Sequence, residues 1–254
     1  MAAIIEVKDL TRLFGQQGAV CRALYEVNFA IEAGSFVAVM GPSGSGKTTL
    51  LNIISTIDQP TKGQVIIDGR EINTVKEKEL ALFRRDMIGF VFQEFNLLDN
   101  MTIRDNIALP LTLNNRKVEE ILRKVRELTE LFGIDDQLDK YSYQLSGGQK
   151  QRAAVCRALV NDPKILFADE PTGALDSKAA AELLACFQNV RNKYGTTVVM
   201  VTHDATAASY CDRVLFLKDG MISGKLETNG NTEEFFKKIL SMVALLGGER
   251  NERL

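Results

Sequence analysis

Apolar and polar residues alternate over Ile4-Ile5-Glu6-Val7 and again through Ala23-Leu24-Tyr25-Glu26-Val27-Asn28-Phe29-Ala30-Ile31, the period-two pattern of half-buried strands. Phe36-Val37-Ala38-Val39-Met40 is a short apolar run rich in β-formers and predicts a third strand, while Leu50-Leu51-Asn52-Ile53-Ile54 reads as the body of a helix. Turns are expected at Phe14-Gly15-Gln16-Gln17-Gly18, at Glu32-Ala33-Gly34 and at Gln59-Pro60-Thr61-Lys62-Gly63. The last of these precedes Gln64-Val65-Ile66-Ile67 and a tight turn at Asp68-Gly69, so an antiparallel sheet should pack beside the core.

A strand over residues 87–92 ends at Gln93, and the pattern then changes. Residues 94–160 are helix-rich, with Val118, Ile121, Leu122, Val125, Leu128, Leu131 and Phe132 at helical spacing, which predicts a helical subdomain inserted into the α/β core. The core resumes with a strand over 164–170, a helix around 178–194, a strand over 196–201 and another over 213–217 before Lys218-Asp219-Gly220. Strands alternating with helices predict a parallel sheet. Thr232-Glu233-Glu234 reads as the start of a last helix. Its Phe235, Phe236, Ile239, Leu240, Val243 and Leu246 would dock it on its own domain or on a partner.

Composition narrows the function classes. A chain of 254 residues, 45% hydrophobic and 25% charged, buries a sizeable core as one large domain or a core with a subdomain. The net charge of −2 and the lack of a basic block argue against a nucleic-acid partner. Cys21, Cys156, Cys186 and Cys211 lack C-x-x-C spacing and are expected as small core hydrophobes in a reducing compartment. The N-terminus has no basic n-region of a signal peptide. No apolar run approaches the roughly 20 residues of a membrane span, so work at a membrane needs spans from another chain.

Gly41-Pro42-Ser43-Gly44-Ser45-Gly46-Lys47-Thr48-Thr49 sits between a predicted strand and a predicted helix, the setting in which G-x-x-x-x-G-K-[ST] binds nucleotide phosphates. Glycines let the backbone aim successive N–H groups at one anion, which the positive helix N-terminus also attracts. Lys47 would reach the β- and γ-phosphates, and the Thr48 hydroxyl would sit on Mg²⁺. Leu145-Ser146-Gly147-Gly148-Gln149 precedes another helix and makes a second anion-binding N-terminus.

Together these stretches resemble the nucleotide-binding subunit of ATP-binding cassette (ABC) transporters, over roughly residues 3–226 and in the family's order. The resemblance implies an α/β fold: a P-loop NTPase (RecA-like) core with an antiparallel β subdomain and an inserted α-helical subdomain at about 94–160. Residues 227–254 form a C-terminal helical extension. It implies ATP and Mg²⁺ as ligands. Asp169 would hold the metal, together with Thr48 and Gln93, and Glu170 would polarise the attacking water. His203, the only histidine, stands where the family places its switch histidine against the γ-phosphate. Gln93 would also relay nucleotide state to a membrane partner. Ser146, Gly147, Gly148, Gln149 and Asp176 would reach the ATP held by a second copy. Phe14 aligns with the aromatic that stacks on adenine; a Phe buried in the sheet is the other reading of that position.

Phe167-Ala168-Asp169-Glu170-Pro171-Thr172-Gly173-Ala174-Leu175-Asp176 resembles the macrolide-export and lipoprotein-release group, and further stretches resemble its bacitracin-export (Bce-type) branch. These stretches are residues 55–59, 92–99 and 204–211, together with the tail from Glu234 to Gly248. The resemblance implies ATP-driven dimerisation that powers an integral-membrane permease with a large extracellular domain, at the cytoplasmic face of a bacterial membrane. It extends to a membrane sensor kinase as a further partner. The outcome would be removal of a peptide antibiotic from its target. The alternatives are a lipoprotein-release, macrolide-export or cell-division type ATPase, and a soluble ABC ATPase of translation or DNA repair.

Overall fold

In the computed structural model, which describes residues 2–15 and 20–248, the two alternating segments become long strands, β1 (Ala3–Phe14) and β2 (Cys21–Glu32). The turn expected between them lies largely outside the described residues. β3 (Phe36–Met40) is buried along its whole length and leads through the glycine loop into α1 (Lys47–Ile54). Then come β4 (Lys62–Ile67), β5 (Arg70–Glu71), α2 (Glu77–Met87), β6 (Ile88–Val91), α3 (Ile103–Leu113), α4 (Val118–Leu131) and α5 (Gly147–Leu159). The chain continues with β7 (Ile165–Asp169), α6 (Ser177–Tyr194), β8 (Thr197–Val201), α7 (Ala205–Ala208), β9 (Arg213–Lys218), β10 (Met221–Glu227) and α8 (Thr232–Gly248).

Two compact units result, one from the described residues of Met1–Leu80 and Val199–Leu254, the other Ala81–Val198. In the first unit β2, β1, β4 and β5 form an antiparallel sheet in that order, with Val7 opposite both Phe29 and Val65. Alternation decides which face is buried: Ile5, Val7 and Ile31 point into the core while Lys8 and Asn28 face water. β3 runs parallel to β9, Val39 beside Leu215, and β10 returns antiparallel to β9. The start of β3 is fixed by Asp212, whose carboxylate accepts from Phe36 N at 2.7 Å while its own N–H donates to the Phe36 carbonyl at 2.7 Å.

In the second unit β6 and β7 are parallel, Val91 beside Ala168. α4 buries Ile121, Val125 and Leu128, but Val118 and Leu122 are exposed, so its core-facing stripe is narrower than the sequence suggests. Asn106, fully buried on α3, donates to the carbonyls of Leu98, Met101 and Thr102 and accepts from Leu98 N at 2.7 Å. One amide thereby holds the segment that follows Gln93 against the helices. α2 is not among the predicted elements: Leu80 is buried and Phe83 and Met87 are half-buried at helical spacing, a short stripe in a mostly polar segment.

Candidate functional site

The glycine loop of the first unit is built for an anion. Gly46 precedes α1 in the left-handed region, φ 101°, and a Cβ there would lie 2.5 Å from the Ala23 carbonyl oxygen. Gly41 is equally closed to a side chain, since its Cβ would meet the Leu217 carbonyl oxygen at 2.0 Å. Only glycine fits at either position. α1 begins with no side-chain cap and no acidic residue in its first turn. By contrast α3, α5, α6 and α7 each begin with a side chain accepting from their own first-turn N–H groups. With no side-chain cap, the dipole at the start of α1 favours an outside partner of negative charge. The Ser45 hydroxyl is buried in the loop without a hydrogen-bond partner among the described residues. Lys47, only 9% exposed, folds its ammonium over the loop onto the carbonyls of Gly41 (2.8 Å) and Pro42 (3.0 Å). That places one cation at the mouth of the anion site. Ser43, Gly44 and Thr49 complete the loop, with Ser43 and Gly44 exposed.

His203 joins this loop within the same unit. Thr202 N donates to the Val39 carbonyl at 3.2 Å, so the chain leaves β8 beside the end of β3. The Thr202 hydroxyl oxygen accepts from Asp204 N, and Asp204 caps α7, which fixes the turn that carries the exposed imidazole. Met40, Gly41, Pro42 and His203 line one cavity.

Phe14 apart, the remaining predicted residues lie in the second unit. β7 ends at Asp169, and Glu170 takes φ 45°, a left-handed step that turns the chain sharply at the carboxylate pair. Gly173 N donates to the Glu170 carbonyl at 3.1 Å and closes the turn. Gln93 Nε2 lies 3.9 Å from where a Cβ on Gly173 would stand, so the amide and this turn are neighbours. Ser146 caps α5 in a capping box: its Oγ accepts from Gln149 N at 3.3 Å, and Gln149 Oε1 accepts from Ser146 N at 3.0 Å. The hydroxyl spends an acceptor site in that cap and keeps its proton to donate. Gly147 and Gly148 supply first-turn N–H groups, and a Cβ on either would touch Ala174, Leu175 or Ala179 at ordinary contact distance. The 174–176 segment therefore packs against the start of α5. Asp176 caps α6, its Oδ1 accepting from Ala179 N at 2.9 Å.

Two expectations are refined by the structure, and one residue is added. Phe14 is 41% exposed, with the Arg12 guanidinium 4.6 Å from its ring centroid, so it is not a core residue and one π-face is already taken. Cys156 and Cys211 are buried as expected, while Cys186 is half-buried and Cys21 exposed, so only two of the four thiols are core residues. Arg157 was not singled out. It lies on α5 and donates to the carbonyls of Phe95 (2.8 Å) and Asn96, both residues at positive φ just after Gln93. Its signal was present: an arginine among Ala153, Ala154, Cys156 and Val160, all buried, has its head committed to something.

Comparison with known proteins adds the outside view. Residues 24–173 match the family model described as ABC transporter. The chain is 46% identical over 252 residues to the ABC transporter ATP-binding protein YxdL of Bacillus subtilis, covering 99% of this chain and 98% of that one. It is 45% identical over 251 residues to the bacitracin export ATP-binding protein BceA of Halalkalibacterium halodurans, covering 98% and 99%. The fold matches MJ0796 of Methanocaldococcus jannaschii, an ABC transporter cassette solved as a dimer, with TM-score 0.83, 41% identity, and coverage of 89% of this chain and all of that one. A second solved structure of MJ0796, in a post-hydrolysis state with ADP and Pi, matches equally well, with TM-score 0.83.

Proposed function

The chain belongs to the ABC transporter family as an ATP-binding, ATP-hydrolysing subunit, and from that premise we propose that two copies close on ATP to drive a separate membrane permease that clears a bacitracin-like peptide antibiotic. The observation that carries the ATP half is the uncapped, glycine-entered N-terminus of α1 with Lys47 at its mouth. The cargo half is supported by the end-to-end likeness to the bacitracin export protein. Among the described residues no helix is long and apolar enough to cross a membrane, in keeping with a subunit that acts through a permease. That permease seats the protein at the cytoplasmic face of the membrane, and its extracellular domain and an associated sensor kinase belong to the same proposal.

In this reading the N–H groups of Gly44, Gly46, Lys47, Thr48 and Thr49 and the Lys47 ammonium neutralise the triphosphate. The Thr48 hydroxyl, the Gln93 side chain and the Asp169 carboxylate are hard oxygen donors of the kind Mg²⁺ takes, one carboxylate among neutral oxygens and phosphates. When bound, the ion spreads the charge of the β- and γ-phosphates. Glu170 polarises the attacking water from the left-handed turn that follows β7. His203 holds the γ-phosphate. Phe14 presents its free face to adenine. Ser146, Gly147, Gly148 and Gln149 of the second copy cover the γ-phosphate with N–H groups and the Ser146 proton, while Asp176 shapes the adjoining turn. Closure is favourable because ATP contacts both copies, and hydrolysis removes the contacts that held them. We take residues 1–226 as the cassette, with helices of about 94–160 as its helical subdomain and 227–254 as its extension.

Replacing Lys47 by Ala tests both halves in one strain. Nucleotide titration of the purified variant should show lost ATP affinity, and cells carrying it should lose tolerance to bacitracin-like peptides. Retained affinity would refute the phosphate-loop assignment. Lost affinity with full tolerance would refute the cargo alone.

A further inference from the structure

Gln151 differs from the polar side chains around it. It lies on α5, just beyond the capping box, and is only 1% exposed, yet neither its Nε2 nor its Oε1 has a hydrogen-bond partner among the described residues. Its polar neighbours on α5 are committed. Gln149 closes the capping box, and Arg152 donates to the Phe132 carbonyl at 3.2 Å and to the Glu182 carboxylate. An amide out of water with both ends idle carries its full desolvation cost, and such a group in a folded chain calls for a reason.

Helix geometry fixes where the amide can reach. Gln151 leaves the α5 axis about 40° round from Gly147 and about 60° from Gly148, so it points between the two, one turn further on. Both glycines face the turn that follows β7. A Cβ on Gly147 would lie 3.6 Å from the Ala174 carbonyl oxygen, and one on Gly148 would lie 3.9 Å from Leu175 Cδ2. Helical side chains lean back toward the N-terminus, which carries the Gln151 amide toward the same turn. Pro171 and Thr172 of that turn are buried, so the meeting takes place away from water. The turn's own bonds run from Gly173 N to the Glu170 carbonyl and from Leu175 N to the Thr172 carbonyl. They use neither the Ala174 carbonyl nor the N–H groups of Thr172 and Ala174. An amide with one donor end and one acceptor end thus stands beside main chain that offers both.

We infer that Gln151 is a positioning residue for hydrolysis: when ATP joins two copies, its amide bonds the main chain of residues 172–174 and sets the turn that carries Glu170 against the start of α5. The inference rests on the ATP-driven dimer proposed above. In that dimer Ser146–Gln149 cover the γ-phosphate held by the second copy, while Glu170 of the same chain serves the ATP on its own loop. Gln151 connects the two, because a pull on the start of α5 reaches the turn that holds the carboxylate. Bonds made only in the joined state favour that state over the separate chain.

The test compares the full chain with Gln151→Met, which keeps the length of the side chain and removes both polar ends. Without nucleotide the variant should melt no lower than the parent, since an idle buried amide is gone. Nucleotide affinity of the dilute monomer and KM for ATP should stay the same, while kcat falls at least ten-fold. A second readout needs no destabilising change. In Glu170→Gln protein the Gln151 Nε2 protons, assigned by their loss in Gln151→Met, should exchange with solvent at least ten-fold more slowly in Mg-ATP than in Mg-ADP. Undiminished kcat in Gln151→Met would overturn the role. A lower melting point with kcat falling in step would overturn it too, by making the amide a structural bond of the separate chain. Equal exchange in the two nucleotides would refute the contact itself. A parent that neither dimerises in ATP nor hydrolyses it would remove the proposed function, and this inference with it.

Discussion

Truncating Arg157 to Ala should free the segment after Gln93 with little loss of the fold around it. The guanidinium is held below the ordinary arginine range by burial, and it donates to the carbonyls of Phe95 and Asn96. A hydrogen bond from a charged donor contributes about 1.5–3 kcal/mol, so the pair is worth about 3–6 kcal/mol. Against this stands the conformation being held: φ is 62° at Phe95 and 50° at Asn96. Left-handed backbone costs a side-chain-bearing residue about 1–2 kcal/mol, or about 2–4 kcal/mol for two. The clamp thus exceeds the strain by only about 1–2 kcal/mol. Without Arg157 the segment relaxes, and the chain recovers most of the lost energy locally. Urea unfolding of Arg157→Ala should show a loss of about 1–2 kcal/mol, while amides of residues 94–97 should exchange roughly ten-fold faster, in line with about 1.4 kcal/mol per decade. Arg157→Lys should fall between, because a single ammonium does not span both carbonyls as a planar fork does. Unchanged exchange over 94–97 in the Ala variant would refute the clamp.

Gly46→Ala should abolish nucleotide binding and lower the unfolding midpoint, since a methyl group 2.5 Å from the Ala23 carbonyl forces the loop apart; a titration with normal ATP affinity would count against the loop geometry. Thiol labelling of the native protein should modify Cys21 within minutes and leave Cys156 and Cys211 protected until unfolding. Burial pushes the thiols of Cys156 and Cys211 well above their ordinary value of 9.0. The unfolded chain therefore loses these protons first as pH rises, so stability should fall above about pH 9. In Cys156→Ala that part of the fall should be smaller, and identical slopes in the two proteins would contradict it.

How far the sequence revealed the molecule depends on what kind of atom does the work. The phosphate loop is legible because its chemistry restricts residue types: a position such as Gly46 tolerates no side chain, and Lys47 supplies a charge that few residues replace. The Arg157 clamp is not legible in the same way, because its acceptors are main-chain carbonyls that any residue would provide. Glu170 reads as the last residue of a strand beside Asp169, and only the backbone shows that the strand has ended and reversed its hand there. α2 was missed because its stripe of Leu80, Phe83 and Met87 is short and set among charged residues. α3 is crossed by Pro110, which sequence rules treat as a break. The tail could be read as apolar on a helical period. That Phe235 and Ile239 dock while Leu240 and Val243 stay exposed is visible only in the packing.

The central claim is that ATP on the Gly41–Thr49 loop joins two copies and that Glu170 ends the joined state by hydrolysis. Mass measurement by light scattering on Glu170→Gln, alongside its steady-state ATPase rate, tests it most directly. The account predicts a species of twice the 28.1 kDa chain in Mg-ATP, a monomer in Mg-ADP, and turnover lowered by at least a hundred-fold. A monomer in saturating ATP, or undiminished hydrolysis, would contradict it.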